Sequence, residues 1–179
     1  HGKVVGSLFR EGGSAANRSR RLGARVVGIL CKQHAERHSD SVLWLDKLQV
    51  ELEAPAGSAR RSGAVLSICE LLREDTCGPA SRTLCEKVLA MLMPGAEEDT
   101  AVLASTCDGL RRVSEKRSLI WEVLGSAGSP ASKQEFLDRL YGLSKPVVGL
   151  GDTKEAELGA GSRELVHASW RLLGQLAAW

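Results

Sequence analysis

The 179-residue chain carries 24 Lys and Arg against 22 Asp and Glu, a formal charge of +2, with 43% hydrophobic, 26% charged and only 4% aromatic residues. These proportions exclude wholesale disorder, and a core of Leu, Val, Ala and Cys without β-branched and aromatic alternation argues against a sheet protein. No run reaches the ~18 apolar residues of a membrane-spanning helix and no signal peptide opens the chain, so no membrane partner is expected; the start at His1 reads as a fragment of a larger chain.

Residues 1–17 are Gly, Ser, Asn and charge, with Val4, Val5, Leu8 and Phe9 the only apolar group, and predict an irregular basic segment. Residues 18–179 read as one helical-repeat domain. A first helix is predicted from Arg18 to about Arg37, its core stripe formed by Leu22, Val26, Ile29 and Leu30. The second, capped by Ser39 or Asp40, carries Val42, Leu43, Leu45, Leu48 and Leu52 and stops at Ala54-Pro55. The third runs from about Ala59 to Arg73 with Ala64, Val65, Ile68, Leu71 and Leu72 inward. A break over residues 75–79 follows, and Pro79 suits the first turn of a fourth helix whose stripe is Leu84, Cys85, Val88, Leu89 and Leu92.

Pro94-Gly95 ends that helix, and Glu97, Glu98 and Asp99 fall in the first turn of a fifth, where negative charge complements the helix dipole. Its core face is Val102, Leu103 and Leu110; a sixth helix is predicted from near Ser114 to Leu124. Ser132 and Glu135 form a capping box for a seventh, with Phe136, Leu137, Leu140 and Tyr141 following, stopped at Lys145-Pro146. A weak helical stretch near Asp152 to Leu158 precedes a last helix capped by Ser162, whose face is Leu165, Val166, Ser169, Trp170, Leu172, Leu173 and Leu176. Paired helices recurring about every 30 to 40 residues predict an all-α fold: an α-solenoid-like stack of antiparallel helix pairs of the HEAT or armadillo type, with about eight to nine helices. A plain helical bundle gives the same stripes.

The candidate chemistry is sparse. Gly12-Gly13-Ser14 and Gly149-Leu150-Gly151 follow no predicted strand and lack a P-loop pattern, so they read as linkers. No nucleophile elbow anchors a Ser-His-Asp triad, and no catalytic residue or cofactor is expected. His34 and His38 share an i,i+4 spacing without an HExxH pattern or a third ligand, so no metal site is expected. Cys31, Cys69, Cys77, Cys85 and Cys107 are odd in number, contain no Cys-x2-Cys pair and read as free core thiols of a reducing compartment.

Charge is the one asymmetry. Residues 1–37 hold eight basic residues (Lys3, Arg10, Arg18, Arg20, Arg21, Arg25, Lys32, Arg37) against Glu11 and Glu36, and the remainder is acidic. Arg18, Arg20, Arg21 and Arg25 are therefore candidate interaction residues, either for an acidic protein surface or for weak nucleic-acid contact. Nucleic-acid readers usually interleave aromatics, and only Phe9 is available. Trp121 and Trp170 sit beside apolar stripes and read as core, whereas Trp44 and Trp179 are the candidate interface anchors.

At Val26-Val27-Gly28-Ile29-Leu30, followed by Arg37-His38 and Asp40-Ser41, the chain resembles the Integrator complex subunit 5 family of helical-repeat proteins. Leu119 to Ser132, with Ser129-Pro130-Ala131-Ser132 at a helix end, and Leu165 to Leu176 resemble it more faintly, while the loops and the region from Cys69 to Cys107 depart from it. The resemblance implies a non-catalytic scaffold among other protein subunits of a nuclear assembly that acts on RNA polymerase II transcription and small nuclear RNA 3′ processing. The alternative is an RNA-binding helical-repeat protein, nuclear or organellar.

Overall fold

The computed structural model describes residues 14–33, 38–53, 58–97, 99–127, 129–148 and 159–178. Most of these residues are helical and none forms a strand. The elements are α1 (Ser14–Gln33), α2 (His38–Glu53), α3 (Ser58–Arg73), a 3-10 turn (Gly78–Ala80), α4 (Ser81–Ala90), α5 (Thr100–Ser114), α6 (Leu119–Leu124), α7 (Lys133–Val148) and α8 (Ala160–Leu176).

The centre is α3, because its sequence can be buried on every side. From Ser62 to Leu72 only Glu70 is charged, and each of these residues is buried. The polar atoms are paired within the core: Ser67 Oγ donates to the Gly63 carbonyl (2.8 Å) and Ser62 Oγ to the Ala101 carbonyl (3.3 Å). Helices α1, α2, α4 and α5 pack around α3, α6 packs on α4 and α5, and α8 packs on α5 and α7.

Three of these helices, α1, α3 and α5, lie side by side and parallel, with facing residues about 40 apart in sequence. Lys32 and Lys116, each 42 residues from Glu74, both donate to its carboxylate, at 3.1 and 2.7 Å. Arg112 donates to Glu70 across the same separation of 42 residues. Small residues permit the close approach. A Cβ on Gly28 of α1 would lie 3.1 Å from the Glu70 Cβ, and one on Gly109 of α5 would lie 2.6 Å from the Cys69 sulfur.

Helix ends follow local chemistry. Asp99 caps α5, its carboxylate accepting from the amides of Ala101 (2.9 Å) and Val102 (3.3 Å). Ser132 and Glu135 form the expected capping box: the Glu135 amide donates to Ser132 Oγ (3.2 Å) and the Ser132 amide to the Glu135 carboxylate (2.7 Å). At the end of α3, Asp75 takes a left-handed φ of 58°, and the Thr76 and Asp75 amides donate to the carbonyls of Leu71 and Leu72, a Schellman closure with Asp in the usual Gly position.

Several expectations are corrected. Helix α1 begins at Ser14, inside the segment expected to be irregular. Its core face is Gly23, Ala24, Val27, Gly28 and Cys31, while Leu22, Val26 and Ile29 turn outward. Close packing on α3 selects the face with small residues over the one with larger apolar residues. The expected sixth helix divides differently, since α5 runs through Ser114 and α6 begins only at Leu119. Helix α7 continues past Pro146 to Val148; so near the helix end, proline forfeits only a last-turn hydrogen bond. Helix α8 starts at Ala160 with Gly159 at the cap position, and Trp170, expected inside, is 49% exposed. Trp121 is half-buried against the core. The expected stretch near 152–158 lies outside the described residues.

Candidate interaction surface

The basic residues of α1 part into two sets according to the face each occupies. Arg20 shares the inward face with Ala24 and Val27 and is 5% exposed; burial lowers its pKa, opposed by the charge of Glu164 and reinforced by Arg21. Arg21 spans three helices, its Nε 3.1 Å from Asp108 of α5 and its Nη2 3.1 Å from Glu164 of α8. Arg111 lies 3.6 Å from the other oxygen of Asp108. Arg21, Asp108 and Glu164 line an open cleft of about 240 Å³, completed by His167, Ala168 and Arg171. Its acids already face arginines, so the cleft works as an electrostatic clasp between α1, α5 and α8.

Arg18 and Arg25 are exposed, and neither has a carboxylate partner among the described residues. They share one side of α1 with Leu22, Val26 and Ile29, which are 52%, 38% and 53% exposed. Trp44 lies on α2 with its side chain outside the described residues, and Trp179 lies outside them as well. Sequence reasoning thus names four arginines together, and the fold buries Arg20, pairs the partly exposed Arg21 with Asp108 and Glu164, and leaves Arg18 and Arg25 at the surface.

A second charge network joins the C-terminal ends of α1, α3 and α5. Glu70, 4% exposed, pairs with Arg112 and Arg73, and Glu74 receives Arg73, Lys32 and Lys116. Arg117 donates to the Leu72 carbonyl (2.9 Å) and pairs with Asp75 (2.7 Å), covering the exposed end of α3 with positive charge. The hydrogen bond from Lys116, helped by the one from Lys32, holds the Glu74 carboxyl down at about 2 against the opposing effect of burial. For Arg112, burial lowers the pKa, but the hydrogen bond and charge of Glu70 raise it overall. Sequence reasoning missed this network. Its available signal was the equal spacing of Lys32, Glu74 and Lys116.

Glu97 and Asp99 precede α5 rather than standing in its first turn as expected, because α5 begins at Thr100: Glu97 is buried, pairs with Arg61, and accepts the Asp99 amide (2.9 Å), while Glu98 lies outside the described residues. All five cysteines are free and buried. Burial pushes the thiols of Cys77, Cys85 and Cys107 up to about 12 and that of Cys69 well above its ordinary value. Such thiols pack as small apolar groups and present little thiolate. Among the described residues no cluster of His, Cys, Asp and Glu is arranged to hold a metal, and no helix is long and apolar enough to cross a membrane. His34 and the His38 side chain lie outside the described residues.

The chain matches no protein-family model, no curated protein and no solved structure.

Proposed function

We propose that this chain is a non-catalytic helical scaffold whose work is protein–protein contact within a multisubunit assembly, and that its helices form an α-solenoid-like unit. The observation that carries this reading is the parallel packing of α1, α3 and α5 side by side, with charged pairs 42 residues apart meeting on Glu70 and Glu74. A period near 40 residues is the stacking interval of two-helix repeats, which serve as extended binding platforms. The enclosure of α3 on four sides gives the unit a rigid centre.

The assembly proposed is a nuclear one of the Integrator kind, on the strength of the sequence resemblance centred on Val26 to Leu30. In that setting the RNA cleavage chemistry belongs to other subunits. Tagged full-length protein, purified with and without nuclease, is expected to retain Integrator-like subunits, an RNA endonuclease among them. A solitary monomer, or partners drawn only from cytoplasm or mitochondria, overturns the assignment. The RNA-binding alternative draws on Arg18 and Arg25 alone among the described basic residues of α1, since Arg20 is buried and Arg21 and Lys32 face acids. Submicromolar RNA affinity at physiological salt, falling steeply as salt is raised, favours it instead.

A further inference from the structure

Two features of α1 converge on one kind of partner. The Gly28–Glu70 and Lys32–Glu74 contacts set α1 against α3 at an offset of 42 residues, so Val26 corresponds to Ile68 and Ile29 to Leu71, and both counterparts are at most 1% exposed. In α3 those residues are enclosed among the helices packed around it; in α1 the corresponding positions, with Leu22 beside them, stay exposed. The spacing Arg18, Leu22, Arg25, Val26, Ile29 follows the i, i+4, i+7, i+8, i+11 pattern by which one helix reads another. The rim of this seam is cationic, because Arg18 and Arg25 have no carboxylate partner among the described residues.

We propose that the outer face of α1 docks an amphipathic helix from a partner subunit, with an apolar seam set against Leu22, Val26 and Ile29 and acidic residues set against Arg18 and Arg25. The occupant is a helix because α3, the parallel neighbour of α1, has its corresponding residues enclosed among packed helices. It is acidic because Arg18 and Arg25, which have no carboxylate partner among the described residues, edge the seam on one side, where Glu or Asp would complete the pairing that Arg21 and Lys32 find within the chain.

This inference rests on the scaffold reading, and the test separates the two. The probe is a synthetic amphipathic helical peptide with leucines at i, i+3, i+4 and i+7 rimmed by glutamate, and its control carries lysine in place of every glutamate. The full chain is expected to bind the acidic peptide at least about tenfold more tightly than the lysine control, with the preference shrinking at high salt. Val26→Glu with Ile29→Glu is expected to abolish binding while leaving the melting temperature near that of the unaltered chain. Arg18→Glu with Arg25→Glu, a change confined to exposed charges, is expected to reverse the peptide preference. Equal binding of both peptides, or binding of neither, overturns the proposal. So does a concentration-dependent dimer of the chain lost on Val26→Glu, or peptide binding that arises only when residues 1–13 are removed. If the tagged chain recovers the same subunits with and without Val26→Glu and Ile29→Glu, this docking face fails and the scaffold reading stands; if the unaltered chain recovers none, the scaffold reading fails.

Discussion

Helices α1 and α3 are of similar length and lie parallel, with Gly28 against Glu70 and Lys32 on Glu74, yet they meet different surroundings. In α3 each residue from Ser62 to Leu72 is enclosed, whereas in α1 three large aliphatic residues face outward. Apolar content does not separate them. What separates them is position: α3 has neighbours on four sides, and α1 packs extensively on α3 alone. An apolar stripe therefore identifies a face able to be buried, and the arrangement of neighbours determines whether it is.

The largest expected effect tests that difference directly. Leu71→Ala is expected to cost about 2 to 5 kcal/mol as a truncation in an enclosed site, while its counterpart Ile29→Ala stays within about 0.5 kcal/mol. Urea denaturation of both variants measures the two values, and equal losses would make α1 as enclosed as α3.

Next comes the carboxylate that ties the row together. The Glu74 carboxyl is depressed to about 2 in the folded chain, so its stabilisation is complete above the ordinary carboxylate range near pH 4.5 and is lost as pH falls toward 2. Glu74→Gln is expected to remove about 1 to 3 kcal/mol at neutral pH and to flatten the acid limb of stability between those values. An acid limb identical in the variant would show that Lys32 and Lys116 contribute nothing through this group.

The two glycine crossings rank below it. Gly109→Ala forces a Cβ against the Cys69 sulfur at 2.6 Å and is expected to destabilise by about 1 to 2 kcal/mol, because crowding outweighs the gain in helix propensity. At Gly28 the nearest atom is 3.1 Å away, so Gly28→Ala is expected to cost less, about 1 kcal/mol or under. The reverse order in thermal melts would place the tighter contact between α1 and α3. The smallest effect is kinetic: with Cys69, Cys77, Cys85 and Cys107 held protonated by burial, alkylation at pH 8 is expected to follow unfolding. Rapid native labelling of Cys107 would contradict the packing of α5 on α3.

Much of the local structure was legible in the chain. The stripes Leu84–Cys85–Val88–Leu89 and Ala64–Val65–Ile68–Leu71–Leu72 are buried as their spacing implies, and the Ser132–Glu135 cap forms as its motif requires. Where the reading failed, two local signals were balanced. Helix α1 has an aliphatic face at Leu22, Val26 and Ile29 and a small-residue face at Gly23, Ala24, Val27 and Gly28, and hydrophobicity alone favours the first. Likewise, Trp170 continues the apolar run of α8 in sequence but falls on its exposed side.

The sequence by itself determined the all-helical class, several of the breaks among the described residues and the Ser132–Glu135 cap, because those depend on spacing, glycine, proline and short polar side chains within one turn of each other; the expected caps at Ser39 or Asp40 and at Ser162 fall inside α2 and α8 instead. Tertiary structure decided which face of α1 turns inward, which arginines lack an acidic partner among the described residues, and which three helices share Glu74. Those outcomes depend on backbones approaching closely at Gly28 and Gly109 and on charges 42 residues apart meeting across the stack, a distance over which no local pattern reports.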